Sequence, residues 1–436
     1  MSVEKSAISK IRARVVWPIV LLFLLNSLDR VNVSFAALQM NADLGFSPEA
    51  YGFGVGIFFA GYILLQMPST LLLRRIGARW WLFAVVLFWG SIATAMAFMH
   101  DATTFYVLRF LLGVAEGGFA PGFIYLMGLW VPKRYRASAI AVSMLAIPIS
   151  VIIGGPLSGW LMTLNNPMGM AGWRWMFLVE GLPTVVLAFV ALAVFVNRPR
   201  DAKWLSGDEK AWLSDELAKD EAATGPKAAS SVLAAILSWR TWAAATVWFA
   251  SLAGAYALIF WLPQLIQQVS GHDEMTVAVL SALPWVAIGT GMIVNSWHSD
   301  KTQERLWHIG GGLLLAAAGI GAGLLFGNGV IAFILLIIGG FGLGSAQGVF
   351  WSLPTTFLKG PAAQGGITVI NMIGNCAGLL VPMVIGVIRQ TTGSFESVVG
   401  ALAVVLLIGA LPLLLLGRTG SPGVGPTQLS PKDTPA

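Results

Sequence analysis

Charged side chains are scarce in this chain. They make up 11% of its 436 residues, whereas apolar residues make up 57%, and the mean hydropathy is +0.78. Ordinary soluble domains carry about 25% charged residues. A chain with so little charge and so much apolar surface is typical of integral membrane proteins.

Cysteine and histidine are also rare. The single cysteine, Cys376, lies inside an apolar run, so the sequence offers neither a disulfide framework nor a cysteine-based metal site. The four histidines are scattered, and no nucleophile and base are suitably spaced for catalysis. We therefore predict that the chain is not an enzyme and binds no metal and no cofactor.

A signal-peptide cleavage site is lacking as well. The N-terminal segment MSVEKSAISKIRAR is basic, as signal peptides are, but the apolar run that follows it reaches Asp29 and Arg30 without a small-residue cleavage site. We expect this run to be a retained first membrane helix.

Twelve apolar segments approach the roughly 20 residues that a membrane-spanning helix requires. The predicted spans are 15–38, 50–73, 80–99, 104–130, 138–161, 176–196, 240–264, 275–297, 308–327, 330–358, 364–388 and 396–416. The sequence thus predicts an all-α membrane protein with six-helix bundles in residues 1–196 and 240–418. A charged, partly helical linker (197–239) joins the bundles, and a Gly/Pro/Ser-rich tail (419–436) is expected to be disordered.

Lysine and arginine predict the orientation of these spans. When alternate loops are assigned to one side, 22 of the 26 basic residues fall on the side of the termini and the linker, and only Arg174 and Arg389 fall on the other. The remaining two lie within spans. Both termini and the linker are therefore predicted to be cytoplasmic. Because the positive charge follows the topology, it indicates a lipid bilayer as partner and not nucleic acid.

The two predicted bundles repeat at an offset of 226 residues. TLLLRRIGARWW (70–81) aligns with SWHSDKTQERLW (296–307), which matches Arg79 to Arg305, and Pro156 matches Pro382. A parallel duplication of six-helix units implies a pseudo-twofold axis along the membrane normal, with a binding site near the midplane between the halves.

Several motifs resemble those of the major facilitator superfamily. The stretch 296–305 is similar to its loop signature G-x-x-x-D-R-x-G-R-R, and residues 11–418 as a whole resemble the anion:cation symporter branch. That narrower resemblance rests on NSLDRVNVSFAAL (26–38), RFLLGVAEGGFAPG (109–122), GGPLSGW (154–160), GWRWMFLVEGLP (172–183) and HSDKTQER (298–305). It implies a monomer in the bacterial inner membrane that carries tartrate, sugar acids, phthalate or another organic carboxylate.

Four charged residues lie inside predicted spans: Asp29, Arg30, Arg109 and Glu116. Each costs about 2.5–3.5 kcal/mol at a bilayer centre on insertion scales, so each is expected to face protein or a water-filled cavity. Arg109 and Glu116 are two turns apart on one face of a helix. Asp29 and Arg30 diverge by about 100° around theirs, so that one can face a central cavity and the other a neighbouring helix.

Our hypothesis assigns the substrate carboxylate to Arg30, because a guanidinium binds a carboxylate through two parallel hydrogen bonds. Asp29 and Glu116 would carry the protons, since the protonation of an embedded carboxyl group responds to burial and to a nearby arginine. Arg109 would be the switchable partner of one or both acids. The resemblance implies the same roles, and the alternative is a permanent salt-bridge cluster without a role in transport.

Neutral polar and aromatic residues predict a wall for the rest of the substrate. They are Tyr62 and Gln66 in the first half and Tyr256, Gln347, Trp351, Asn371 and Asn375 in the second. The alternative for each is helix packing, although Tyr62 and Asn371 also match substrate contacts of the resembled family. Glu180 is interpreted as structural. The loop residues Asp300, Lys301 and Arg305 are expected to set the conformational equilibrium without touching substrate.

The sequence therefore favours a proton-coupled symporter that imports a small organic anion by alternating access. An organophosphate exchanger would typically offer one cavity arginine from each half, and here both lie in the first. Drug efflux is disfavoured by an incomplete helix-5 signature. The anion stays open among tartrate-like hydroxy acids, sugar acids and aromatic acids, and sodium is not excluded as the coupling ion.

Overall fold

The computed structural model describes residues 2–144, 146–164, 166, 168–224, 236–323, 329–358 and 361–418. The α-helices are, in chain order, α1 (Val3–Ile11), α2 (Trp17–Asp43), α3 (Pro48–Ile76), α4 (Ala78–Ala95), α5 (Ala102–Gly117), α6 (Phe119–Trp130), α7 (Lys133–Met144), α8 (Ala146–Thr163), α9 (Gly172–Val194), α10 (Gly207–Thr224), α11 (Trp239–Ser270), α12 (Glu274–Thr302), α13 (Leu306–Ala322), α14 (Val330–Phe350), α15 (Pro354–Phe357), α16 (Pro361–Thr392) and α17 (Phe395–Arg418). A π-helical turn, Arg12–Val16, joins α1 to α2.

Within the described residues, twelve helical spans follow the twelve apolar segments of the sequence. Ten are long and apolar enough to cross a membrane. The other two are α13, which is a shorter apolar helix, and α2, which carries two charges in its middle. The fourth span consists of α5 and α6, which meet at Gly118, and the fifth consists of α7 and α8. The predicted tail, 419–436, lies outside the described residues, and the division at 197–239 stays a prediction.

Helix pairs in the first six spans recur in the last six. The pairs α2 with α8, α3 with α5, and α4 with α9 pack against each other, and their counterparts α11 with α16, α12 with α14, and α13 with α17 do the same. Two further pairs, α3 with α16 and α8 with α12, cross between the halves and are related by the same pseudo-symmetry. Because α2 and α3 of the first half pack against α11 and α16 of the second, these four helices bound part of the space between the halves.

The helices α3, α5 and α12 begin at the end of the molecule where α2 terminates. A polar side chain caps the first turn of each and fixes where it begins. Ser47 Oγ accepts a hydrogen bond from the backbone N–H of Ala50 at 3.1 Å, and Asp101 Oδ1 accepts one from Thr104 at 2.7 Å. Asp273 caps α12 in the same way. Each side chain satisfies a backbone donor that the first turn leaves unpaired, which sets the register of α3, α5 and α12.

The two halves are in close contact at that same end. A Cβ atom placed on Gly52 would lie 2.4 Å from the carbonyl oxygen of Pro382, so only glycine permits this approach of α3 to α16. The Tyr51 hydroxyl donates to the carbonyl of Phe260 at 2.8 Å, and Asn41 Nδ2 donates to Gln264 Oε1 at 3.4 Å. These contacts close the space between the halves at this end.

The N-terminal helix α1 was not predicted, and it packs against α10 of the linker. Lys10 Nζ lies 2.8 Å from Glu209 Oε2, and the Ser6 hydroxyl donates to Glu209 Oε1 at 2.6 Å. Arg134, at the start of α7, pairs with Glu4 at 2.7 Å. A nine-residue helix is marginal by itself, so α1 depends on these contacts, which sequence periodicity does not reveal.

We expect Glu209→Gln to loosen α1. The hydrogen bonds from Lys10 and Ser6 lower the pKa of Glu209 to about 2. This contact is therefore fully present above about pH 4.3, the ordinary glutamate pKa, and is lost as the pH falls towards 2. At neutral pH, amide hydrogen exchange of residues 3–11 should become about tenfold faster in the variant, as for the loss of one charged hydrogen bond.

The matched control is Asp215→Asn on the same helix. Asp215 pairs with Lys219 on the exposed side of α10, and both side chains are 65% exposed. This substitution should leave exchange in α1 unchanged. Equal exchange rates in Glu209→Gln and the unmodified protein would show that Glu209 does not hold α1.

Candidate functional site

Arg30 and Glu116 meet in the middle of the membrane-spanning region. Arg30 Nη2 lies 2.8 Å from Glu116 Oε2, and Arg30 Nε donates to the same oxygen at 3.3 Å. The Glu116 side chain is fully buried, whereas 24% of the Arg30 side chain is exposed. The second oxygen, Glu116 Oε1, has no partner among the described residues. The pair therefore joins a solvent-reachable cation on α2 to a buried acid on α5.

Aromatic rings support the Arg30 guanidinium. Its central carbon lies 5.2 Å from the centroid of Tyr62 and 5.4 Å from that of Phe58, both on α3. The π-face of an aromatic ring attracts a cation, and this attraction is stronger where water is excluded. The rings thus favour an orientation of Arg30 towards the space between the halves.

Arg109 is completely buried on α5, on the same helical face as Glu116, yet it forms no ion pair with any described residue. None of its three guanidinium nitrogens has a hydrogen-bond partner among the described residues. Its central carbon lies 4.7 Å from the centroid of Phe58, the ring that Arg30 also approaches. The predicted role of Arg109 as a switchable partner stays a prediction. A buried cation without a partner is energetically costly.

Asp29 points away from Arg30 into the first bundle. Asp29 Oδ2 accepts a hydrogen bond from Trp89 Nε1 at 2.7 Å, and Asp29 Oδ1 accepts a longer one from Asn32 Nδ2 at 3.4 Å. The residue is 2% exposed. The two adjacent charges thus diverge around α2 as the helical geometry predicts, so Asp29 does not contact the space that Arg30 faces.

Glu180 belongs to the same buried network, which the sequence did not indicate. Glu180 Oε2 accepts from Asn32 Nδ2 at 3.1 Å, and Glu180 Oε1 accepts from the Ser158 hydroxyl at 2.8 Å. The available signal was Asn32, which lies one turn after Asp29 on α2 and so shares its face. Glu180 was interpreted as structural because it lies near the outer end of its predicted span, and its partners on other helices could not be read from the sequence.

The second half contributes neutral groups. The Tyr256 hydroxyl lies 3.4 Å from Asn375 Oδ1, and the ring of Tyr256 packs against Phe59 of the first half at 4.7 Å between centroids. Tyr256 is also within electrostatic range of Arg30. The structure therefore brings Tyr256 and Asn375 to the side of the site that faces Arg30 and Tyr62.

The other predicted wall residues have different surroundings. Gln347 Nε2 donates to the carbonyl of Ser251 at 3.2 Å, and Trp351 packs edge-on against Trp248 at 5.1 Å between centroids. Gln66 and Asn371 are half-buried. Gln347 and Trp351 thus reinforce packing between α11 and α14, and their contact with a substrate stays a prediction.

The predicted loop residues lie at the end of α12, away from the charged pair. Arg305 Nη1 lies 2.7 Å from Asp300 Oδ1 and donates to the Ser299 hydroxyl at 2.9 Å. Lys301 Nζ lies 5.5 Å from the centroid of Trp297. These residues stabilise the turn between α12 and α13.

In the part of the chain described here, no group of three His, Cys, Asp or Glu side chains could hold a metal ion.

Comparisons with known proteins agree with this architecture. A family model described as Major Facilitator Superfamily matches residues 19–382. An Agrobacterium vitis protein named "Putative tartrate transporter" is 44% identical over 420 residues, 95% of this chain and 96% of that protein. The "Quinolone resistance transporter" of Acinetobacter baumannii is 36% identical, over 94% of this chain and 95% of its own.

The same architecture occurs among solved structures. A bacterial homologue of the human lysosomal transporter Spinster, in an inward-facing and occupied conformation, superposes with a TM-score of 0.74. The two chains are 18% identical, and the match covers 94% of this chain and 99% of the other. At this identity the likeness shows the fold alone.

Proposed function

Since this chain belongs to the Major Facilitator Superfamily, we propose that it takes up a small organic carboxylate together with protons by alternating access. Its relatives are transporters and not enzymes, so the chain is a multi-pass membrane transporter of small molecules. The proposal adds the coupling ion, the direction of transport and the role of each residue.

The ion pair between Arg30 and Glu116 carries this proposal. Arg30 is the exposed member, so a substrate carboxylate can reach its guanidinium and compete with Glu116 for it. A buried carboxylate that loses its cation is destabilised by about 3–5 kcal/mol, and taking up a proton removes that cost. Substrate binding and protonation of Glu116 are thereby linked, which is the requirement for symport.

Asp29 and Arg109 complete the proposed coupling. Asp29 is buried behind Arg30 and would hold a second proton. Arg109 would accept one of the acids as its partner in another conformation, because its guanidinium has no partner among the described residues in this one. No cofactor enters this mechanism, and a single chain suffices for it.

The neutral groups of the second half suit a substrate that carries hydroxyl groups. Tyr256 and Asn375 offer a hydroxyl and an amide opposite Arg30, and Tyr62 offers an apolar face beside it. Together with the name of the Agrobacterium vitis relative, this favours a tartrate-like hydroxy acid over the other candidates, which are sugar acids and aromatic acids.

The proposed orientation places both termini in the cytoplasm, as the distribution of basic residues predicts. The contacts around Gly52 and Tyr51 then close the periplasmic end, and Arg30 is reached from the cytoplasm. A bacterial inner membrane is the proposed location. The turn around Asp300, Lys301 and Arg305 would adjust the balance between the two open states.

Efflux or exchange is the second candidate. The relative from Acinetobacter baumannii is named for quinolone resistance, and quinolone drugs also carry a carboxylate that Arg30 could bind. The two functions share the site and differ in direction and coupling.

We expect L-tartrate to accumulate in proteoliposomes when the outside is more acidic than the inside. Accumulation should increase by about tenfold per pH unit for each coupled proton, since one pH unit corresponds to 1.36 kcal/mol. A protonophore should abolish accumulation and leave exchange of labelled for unlabelled substrate. Uptake that requires internal substrate at every pH would identify an exchanger, and a screen of sugar and aromatic acids by competition would then test the substrate class.

A further inference from the structure

Two further acids, Asp29 and Glu180, are buried behind the proposed pair. They come from different helices, α2 and α9, and both accept their hydrogen bonds from side chains of the first half. Asp29 is 2% exposed and Glu180 is 3% exposed. One amide joins them, because Asn32 Nδ2 donates to Asp29 Oδ1 and to Glu180 Oε2.

No cation balances these two acids. Among the described side chains, no Lys, Arg or His lies within 4.0 Å of either carboxyl group. Apart from Glu180 itself, the charged group that faces Asp29 from another helix is Glu116, which adds negative charge. Arg30 is turned towards Glu116, and Arg109 donates to neither acid. Two carboxylates in a buried site without a cation repel each other, and sharing one proton removes the repulsion.

The amide between the acids also has a free acceptor. Asn32 Oδ1 is buried and has no hydrogen-bond partner among the described residues. Its amide nitrogen suits ionised carboxylates, whereas its oxygen suits a protonated carboxyl group, which is a donor. The remaining donors are fixed: Trp89 Nε1 donates to Asp29 and Ser158 Oγ donates to Glu180. Asn32 can therefore hydrogen-bond to the two acids both when they are ionised and when one of them is protonated.

From this geometry we propose that Asp29 and Glu180, which Asn32 joins, form one coupled titrating unit that holds a single proton on one or the other acid. Glu180 is a positioning residue: it does not touch substrate, and it sets the pH at which Asp29 exchanges its proton. The inference rests on the proposed proton coupling, in which Asp29 carries a proton. It assigns a transport role to a residue that packing alone would not require to be acidic.

The test is the pH profile of substrate uptake, measured at varied external pH and fixed internal pH. Glu180→Gln removes the like charge beside Asp29, so Asp29 loses its proton more readily and the midpoint of uptake should move by about one unit to lower pH. Ser158→Ala removes a donor that favours ionised Glu180, so the pair keeps its proton longer. Its midpoint should move by about half a unit to higher pH.

Ser150→Ala is the matched control, because Ser150 is also buried on α8 but donates only to the backbone of Ile147. Its midpoint should equal that of the unmodified protein. Reduced uptake with an unchanged midpoint in both test variants would overturn the inference and leave a structural role for Glu180. If Glu180→Gln does not fold, Ser158→Ala decides alone. If uptake by the unmodified protein does not depend on the pH gradient, the proposed function itself is wrong. Failure of the inference about Glu180 is therefore distinguishable from failure of the proposed function.

Discussion

Arg30→Lys is expected to abolish detectable substrate binding, although it keeps the positive charge. Lysine offers a compact ammonium in place of the planar guanidinium, so it cannot form two parallel hydrogen bonds to a carboxylate or stack a planar group on the rings of Phe58 and Tyr62. Removing a partner from a buried, hydrogen-bonded charge pair costs about 2–5 kcal/mol, which corresponds to roughly 30-fold to 5,000-fold in affinity. The measurement is equilibrium binding of labelled tartrate to purified protein.

Arg240→Lys is the control for this variant. Arg240 lies at the start of α11 and stacks on Trp239 at 5.8 Å, far along the chain from the charged pair. Its affinity for tartrate should match that of the unmodified protein. Tight binding by Arg30→Lys, with thermal unfolding unchanged, would exclude Arg30 as the main carboxylate ligand.

A double-mutant cycle separates the two roles of Arg30. Arg30→Lys also weakens the contact with Glu116, so part of its effect comes from a buried acid without its partner. In the double variant Glu116→Gln with Arg30→Lys, no buried carboxylate is left without its partner. The loss of affinity that Arg30→Lys still causes in this background therefore reports the contact between Arg30 and substrate.

Apolar segment length was sufficient to predict the twelve spans, because a helix that crosses hydrocarbon must be apolar along about 20 residues. It did not predict where the helices end. α11 continues to Ser270, six residues beyond its predicted end, because its polar last turns lie outside the apolar segment. It also missed α1, whose stability comes from Lys10 and Glu209, which are distant in sequence.

The candidate site was predicted as a set of charges, not as a set of pairs. Burial cost identified Asp29, Arg30, Arg109 and Glu116, since each needs a reason to lie in a span. Which arginine pairs with Glu116 depends on the crossing of α2 over α5. Spacing along α5 alone favours Arg109 as the partner of Glu116, yet in the structure Glu116 pairs with Arg30. The pattern of residues in a single sequence does not show how two helices cross.

Glu180 demonstrates the same limit in another way. It is one acidic residue in an apolar helix, and its meaning depends on Asn32 and Ser158, which lie on two other helices. Only three-dimensional neighbours distinguish a structural acid from one that shares a proton.

Glu116→Gln is expected to abolish accumulation of substrate against its gradient while exchange of labelled for unlabelled substrate continues. Glutamine has nearly the shape of glutamate, but it is neutral at all relevant pH values, so this position no longer carries a proton together with the substrate. It also competes less strongly for Arg30, because it lacks the charge of the carboxylate. Tartrate should therefore bind about tenfold more tightly at pH 7.5 and with little dependence on pH. The measurements are pH-driven uptake and counterflow in the same proteoliposomes.

Glu396→Gln provides the control, since Glu396 is exposed at the start of α17 and should affect neither assay. The separation of the two assays is the decisive feature. A purely structural salt bridge between α2 and α5 would, when weakened, impair accumulation and exchange together. Neutralising a proton carrier would impair accumulation only, because the exchange of labelled for unlabelled substrate requires no net movement of protons. Accumulation by Glu116→Gln at the rate of the unmodified protein would therefore remove Glu116 from the coupling mechanism and leave Asp29 as its remaining candidate.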